Sequence, residues 1–337
     1  MTTRIAVDAM GGDFGPAVIV DGAVSGARAL GCTLLLVGDP DAIRASLVAS
    51  GAGDLGVEIV EADDVIGMDE HPAQAVRRKP RSSIVVALQL IKDGRADAVL
   101  SAGNTGAVMA AALMVLGRVP GIDRPAIASN MPTATSRTLL LDLGAVADPK
   151  PGNLVQFAQM GQVYVETVFG VTNPSIGLLS NGEEPTKGNL LVQQVHSLLM
   201  STDGLNFVGN VEGSDIARGT IDVVVTDGFT GNVALKTAEG VARLMTDLLK
   251  AEITSTLPRK LAGLLLRPAF RAARGKLDYA EIGGAALLGV NGAVIIAHGR
   301  SNARAIESAL RVAARSADHD LSTKIAERVS KAIAATA

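Results

Sequence analysis

Four short junctions hold most of the residues in this chain that could handle an anion: SAGNTGA at 101–107, SNGEEPTKGN at 180–189, TDGFTGN at 226–232 and AHGRSNA at 297–303. Each follows an apolar run and precedes a helix-spaced pattern, so each reads as a strand-to-helix turn. The first N–H groups of a helix lack intrahelical partners and face the positive end of its dipole, which suits phosphate. Lys187 and Arg300 are the cations of these turns. Asn104, Thr105, Thr230, Asn232, Ser301 and Asn302 are neutral donors, Asp227 opens the third turn, and Gly228 and Gly231 let a backbone come close to a ligand. Arg can clamp two phosphate oxygens and Lys acts as a point charge. His298 could donate a hydrogen bond or a proton, or be a strand-end histidine satisfied by backbone. Glu183 and Glu184 also read as capping and solvation of the next helix, and any one of the four turns alone reads equally as a well-capped turn. Because strand carboxyl ends face the ligand crevice in an open α/β sheet, the four are expected to converge on one site.

What is missing narrows the chemistry. No G-x-x-x-x-G-K-[ST] loop occurs. In AMGGDFGP at 9–16, Met10 stands at the first glycine position of a dinucleotide fingerprint and Asp13 where pyrophosphate would lie, so NAD is disfavoured. His71, His196, His298 and His319 are scattered without zinc-ligand spacing, and there is no G-x-S-x-G nucleophile. The single Cys32 opens an apolar run and reads as core. The expectation is no metal, no cofactor and no covalent nucleophile. Transfer of an acyl group from a thioester to inorganic phosphate needs none of these. Phosphate attacks as a dianion, a thiolate of parent pKa about 8.5 leaves readily, and the protein need only position the reactants and stabilise the oxyanion.

These turns must be carried by strands and helices, and ten apolar runs alternate with helical segments along the 337 residues: RIAVDA, CTLLLVG, VEIVEA, ADAVLSA, PAIASN, TLLLDLGA, PSIGLLS, LNFVGNV, DVVVTDG and GAVIIAHG. That alternation predicts a doubly wound α/β fold, a mostly parallel sheet with helices on both faces, in one catalytic unit over 1–337. Strand order is open. The net charge of −3 and 2 % aromatic content give no reason to expect nucleic acid. The N-terminus has no signal-peptide pattern and no segment reads as membrane-spanning, so a cytoplasmic location is expected.

One segment departs from this style. Residues 251–277 place Arg259, Lys260, Arg267 and Arg271 around Leu264, Leu265 and Phe270. Basic residues flanking an apolar face suit anionic lipid or an acidic protein, and equally an ordinary packed helix pair.

Together these motifs resemble the bacterial acyl-acyl carrier protein:phosphate acyltransferase family. The match runs through IAVDAMGGDFGP at 5–16, HPAQAVRRKPRSS at 71–83, SAGNTGA, LLLDLGA at 139–145, NGEEPTKGN at 181–189, VVTDGFTGNVALK at 224–236, and GGAALLGVNG with HGRSNA at 283–303. The resemblance implies a phosphotransacetylase- and isocitrate or isopropylmalate dehydrogenase-like fold and a homodimer. It implies acyl carrier protein and inorganic phosphate as substrates, acyl phosphate as product, and reversible association with anionic membrane, where a glycerol-3-phosphate acyltransferase takes the product. It places Asn104, Thr105, Lys187, Asp227, Thr230, Asn232, His298 and Arg300 in the cleft. Within that set we assign Lys187 and Arg300 to phosphate, Asn232 and the backbone of 228–232 to the oxyanion, and His298 to the leaving thiol; Asp227 orients a cation. The stretch VADPKPGNL after residue 145 departs from a Cys-containing VDCKP pattern. The carrier would meet either Arg77, Arg78, Lys79 and Arg81 or the 259–276 cluster. Kept alongside are a phosphotransacetylase-like enzyme using acyl-coenzyme A, a decarboxylating dehydrogenase, and a non-catalytic phosphate- or lipid-responsive protein.

Overall fold

The computed structural model describes residues 2–53, 55–133, 137–277 and 283–336; the side chains of 132, 271–277 and 331–336 lie outside that description, and with them the side chain of Arg271. Among the described residues eleven strands and twelve helices follow in the order β1 Arg4–Asp8, α1 Gly15–Leu30, β2 Thr33–Gly38, α2 Pro40–Ala49, β3 Val57–Glu61, α3 Pro72–Arg78, α4 Ser83–Lys92, β4 Ala98–Ser101, α5 Thr105–Val115, β5 Ala126–Pro132, β6 Arg137–Leu141 and α6 Pro151–Phe169. The second half continues with β7 Ser175–Leu179, α7 Leu190–Met200, β8 Asn206–Val211, α8 Gly213–Arg218, β9 Val223–Val225, α9 Gly228–Thr254, α10 Leu257–Leu277, β10 Ala285–Leu288, β11 Ala293–Ile296, α11 Ala303–Asp318 and α12 Leu321–Thr336.

All eleven strands form one sheet in the order β3-β2-β1-β4-β11-β10-β5-β6-β9-β7-β8. The strands are short and apolar because both faces are covered, as β-branched runs such as Val223–Val225 require. Residues of α1, α2, α6, α7, α11 and α12 fill the core on one face, and those of α3, α4, α5 and α8 the other. The sheet is therefore wound on both sides, as the alternation of elements predicts.

Ten strands are legible in the sequence and the eleventh, β10, is not. Its four residues AALL sit between the pair Gly283–Gly284 and Gly289 and carry no alternation. Strand β10 runs antiparallel to β11 and to β5, which leaves β5 pointing the same way as β11, and β5 runs antiparallel to β6, which turns the direction over between the two parallel blocks. The direction of the sheet reverses through this centre. Strands β4 and β11 thus deliver their turns to one edge, and β7 and β9 deliver theirs to the other.

Helix α9 is 27 residues long, and only its beginning meets the sheet; farther along it packs against α10. Leu244, Met245, Leu248 and Leu249 of α9 and Leu257, Leu261, Leu264 and Leu265 of α10 are all exposed. Among the described residues no helix is long and apolar enough to cross a membrane.

Candidate functional site

Each of the four turns is built by its own cap. Asn104 opens α5, its Oδ1 accepting the Ala107 N–H at 3.1 Å, and its Nδ2 donates to the carbonyls of Gly67, Met68 and Glu70. Buried and fully engaged, this side chain holds the 67–70 loop beside the α5 N-terminus and has no donor left for a ligand. Asp227 opens α9 by accepting the Thr230 N–H at 2.8 Å. Asn189 and Asn302 cap α7 and α11 in the same way.

The turns after β4 and β11 meet. These strands pair in parallel with Ser101 opposite Ile296, and the Ala297 N–H donates to the Ser101 carbonyl at 2.8 Å. The loop after β1 joins them through Asp13 N–H to Gly299 O at 2.7 Å. Gly12 has φ +87°, and a Cβ there would press on Gly299 O, so a glycine suits that junction. Beneath it Asp8 is wholly buried, accepting from Ser101 Oγ at 2.7 Å and from Met10 N. Burial pushes its carboxyl above the usual range against the pull of those hydrogen bonds.

The turns after β7 and β9 sit at the opposite strand ends, so the expectation that all four converge is corrected by the central antiparallel strands. Lys187 is exposed in the 180–189 loop, its N–H bonded to Glu184 O, and it is not among the residues lining the cleft. Helix α9 nonetheless packs over β6 and reaches the other strand ends. Its face formed by Asn232, Leu235, Lys236 and Glu239 arrives against Thr105, Asp13, His298 and Arg300 around a cavity of ≈ 400 Å³. Larger depressions of ≈ 700 Å³ lie elsewhere, one of them rimmed by Arg118, Arg124 and Lys150. They touch none of the four turns.

The start of α9 is fixed from below by Asp142. This buried carboxylate accepts N–H bonds from Ile127, Gly144, Ala145 and Val146 at 2.7 to 3.2 Å. Burial raises its pKa and the four N–H groups oppose that. Gly228 and Gly231 lie directly on it, and a Cβ at Gly231 would collide with the Asp142 carbonyl. The N–H groups of Gly228, Thr230 and Gly231 are already bonded to Val146 O, Asp227 Oδ1 and Asp227 O. These three are thus not open donors, which corrects the expectation of an oxyanion hole in the 228–232 backbone. Thr230 itself is exposed, Ser301 is buried in its turn with its N–H on His298 O, and neither lines the cavity. Asn232 does, with Nδ2 donating to Leu143 O at 3.0 Å and a second amide hydrogen left over.

His298 accepts the Arg300 N–H on Nδ1 at 3.1 Å, which puts the neutral ring's proton on Nε2. Burial, followed by the neighbouring Lys236 charge, holds its pKa below the ordinary histidine value; Glu239 and Asp13 oppose this and Arg300 adds to it. Lys236 Nζ is 3.4 Å from Nε2 and 2.9 Å from a Glu239 oxygen. Lys236 is the functional candidate that motif reading missed. It closes VVTDGFTGNVALK, but only the crossing of α9 over the sheet brings it to residue 298. No group of three or more His, Cys, Asp or Glu suited to a metal occurs among the described residues.

Comparison with known proteins supplies the context. Residues 3–324 match the profile of the fatty acid synthesis protein family. A phosphate acyltransferase from Dictyoglomus turgidum is 50 % identical over 97 % of this chain and 98 % of its own length, and one from Pelotomaculum thermopropionicum is 52 % identical over 94 % and 92 %. Among solved structures, a phosphotransacetylase from Streptococcus pyogenes superposes with TM-score 0.66 at 17 % identity, covering 94 % of each chain. A 4-hydroxythreonine-4-phosphate dehydrogenase from Klebsiella pneumoniae does so with TM-score 0.54 at 14 % identity over 94 % of this chain and 98 % of that one. At such identities these likenesses concern the fold alone.

Proposed function

The chain belongs to the fatty acid synthesis protein family and within it to the phosphate acyltransferases, and on that premise we propose that it transfers a fatty acyl group from acyl carrier protein to inorganic phosphate. A phosphate oxygen attacks the thioester carbonyl, the C–S bond breaks, and acyl phosphate and the carrier thiol are the products. The cavity carries this reading: its lining combines Thr105, His298 and Arg300 and Lys236 and Asn232 of α9 with the apolar Ile127, Met131, Leu143 and Leu235. A charged nucleophile and a long apolar acyl group need just such a mixed lining.

In this reading phosphate lies at the N-terminus of α5 beside Thr105, neutralised by Arg300 and Lys236, with Lys187 adding charge at longer range from the opposite strand ends. Asn232 donates to the oxyanion through its second amide hydrogen. His298, neutral with the proton on Nε2, gives that proton to the departing sulfur or holds it by a hydrogen bond. Asp227 and Asn104 act through the helices they cap, and Gly228 and Gly231 act by letting α9 seat on Asp142. No cofactor enters the scheme. The enzyme works as one α/β unit in the cytoplasm, as a homodimer. It docks reversibly on anionic membrane through α10, with Arg259, Lys260 and Arg267 toward lipid phosphates and Leu264, Leu265 and Phe270 inserted. There it passes acyl phosphate to a glycerol-3-phosphate acyltransferase.

The test mixes purified protein with palmitoyl acyl carrier protein, with and without phosphate, and follows free thiol together with hydroxylamine-trapped acyl phosphate. Phosphate-dependent appearance of both is expected. Equal release without phosphate overturns the reading, and activity with acyl-coenzyme A alone transfers it to a phosphotransacetylase-like enzyme.

A further inference from the structure

The cleft that is read above as a phosphate site is lined by two cations, Lys236 and Arg300, and also by two carboxylates, Asp13 and Glu239. Their formal charges cancel. An anion entering this cavity is therefore selected by where donors and acceptors point as well as by charge, and a carboxylate beside it needs a reason, since like charges repel.

Glu239 stands three residues after Lys236 on α9, and one of its oxygens accepts from Lys236 Nζ at 2.9 Å. Its side chain is 30 % exposed, and its other oxygen has no hydrogen-bond partner among the described residues. Lys236 Nζ is in turn 3.4 Å from His298 Nε2. An anion whose oxygen accepts from Lys236 and His298 thus brings its remaining oxygens up to Glu239. Asp13 differs: it is not tied to Lys236, and its own N–H fastens it to Gly299 of the β11 turn.

Phosphate near neutrality keeps a hydrogen on one oxygen, and sulfate has none. A carboxylate accepts only, so it bonds to a P–O–H group and meets sulfate with negative oxygen against negative oxygen. We propose that Glu239 accepts the hydrogen of hydrogen phosphate and thereby admits phosphate and excludes sulfate, an inference that rests on the placing of phosphate in the reading above. The ion pair with Lys236 then does two things. It holds the ammonium beside His298, and it keeps Glu239 ionised and turned to the anion.

Calorimetry on the full chain, with no acyl donor and at mildly alkaline pH, compares three dianions of similar shape: hydrogen phosphate and hydrogen arsenate, which carry the hydrogen, and sulfate, which lacks it. Wild type is expected to bind the first two within about threefold of one another and sulfate about a hundredfold more weakly, since a site built around a ligand hydrogen rejects the analogue without it. Glu239→Gln removes the charge and adds an N–H donor for sulfate, so the preference for phosphate over sulfate should fall by about tenfold or more. Lys236→Gln should weaken all three anions and leave that preference in place. An unchanged preference in Glu239→Gln overturns the proposal. So does a preference lost in Asp13→Asn instead, sulfate bound by wild type as well as phosphate, or binding of none of the three. Thiol release from acyl carrier protein is scored separately. Phosphate-dependent release with an unchanged preference in Glu239→Gln keeps acyl transfer and removes this role of Glu239; the altered preference without release keeps the role and removes acyl transfer.

Discussion

Nζ of Lys236 stands 3.4 Å from Nε2 of His298, across 62 residues of sequence. With Nδ1 of the ring accepting from Arg300 N, both facing atoms are donors, and Glu239, 2.9 Å from Lys236 Nζ, holds that ammonium beside the ring. An oxygen carrying negative charge at this place can accept from both. Phosphate in the ground state, or the oxyanion of the tetrahedral intermediate, supplies one.

Lys236→Ala is accordingly expected to lower kcat/KM for phosphate by about tenfold or more, equivalent to roughly 1.4 kcal/mol of transition-state stabilisation. Steady-state kinetics with phosphate varied at fixed acyl donor measures it. A rise in KM with kcat unchanged would assign Lys236 to phosphate binding, and a fall in kcat would assign it to the oxyanion. No change in either removes Lys236 from the site. Lys187→Ala, measured alongside, tests the charge proposed at the opposite strand ends, where a smaller rise in KM for phosphate than in Lys236→Ala is expected.

Gly231 bears on the Asp142 carbonyl so closely that a methyl group has no room. Gly231→Ala should destabilise the fold by about 1–3 kcal/mol, the usual cost of overpacking. It should also lift the first turn of α9, so activity is expected to fall further than the loss of folded protein explains. Thermal melts paired with activity per folded molecule check both parts. The exposed neighbour Thr230→Ala serves as the comparison and should leave stability within about 0.5 kcal/mol.

His298 gives a pH dependence of defined sign. Its folded pKa lies below that of the unfolded chain, about 6.5, because burial and Lys236 disfavour the imidazolium. Above that value both states are neutral at this residue. As pH falls below it the unfolded chain takes up a proton before the folded one does, so stability drops through that window and levels off beneath the folded pKa. The melting temperature of wild type relative to His298→Gln is therefore expected to fall between about pH 7.5 and about pH 5.5. A constant difference would show that the ring titrates normally.

Leu264 and Leu265 are 69 % and 83 % exposed on a helix that also carries Arg259 and Arg267. In flotation with vesicles containing anionic phospholipid, wild type is expected to float and Leu264→Glu with Leu265→Glu to stay with the soluble fraction. Added salt should weaken the wild-type association by screening the basic part. Equal flotation of both proteins would mean that α10 is not the contact.

Some of this was fixed by local sequence. The strands, the helices and the caps are short-range matters: Asp227 before Gly228 starts α9, Asn104 starts α5, and Val223–Val225 can only be a buried strand. The motifs also identified His298, Arg300, Thr105 and Asn232, which meet in the cleft, because glycine-rich strand-to-helix turns are where α/β proteins bind anions. What sequence could not decide was direction and crossing. The four residues of β10 have no periodicity to distinguish them, and nothing local announces that β5 pairs antiparallel with β6, the reversal that sends the 180–189 turn to the far strand ends and leaves Lys187 outside the cleft lining. Motif residues such as Asn104 and the 228–231 backbone look like free donors until the structure shows their hydrogen bonds already made. Lys236, for its part, is one lysine on a long helix until that helix packs over the sheet and meets His298. Hydrogen-bonding capacity and helix propensity are properties of residues; which donors remain open, and which face one another, are properties of the packed sheet.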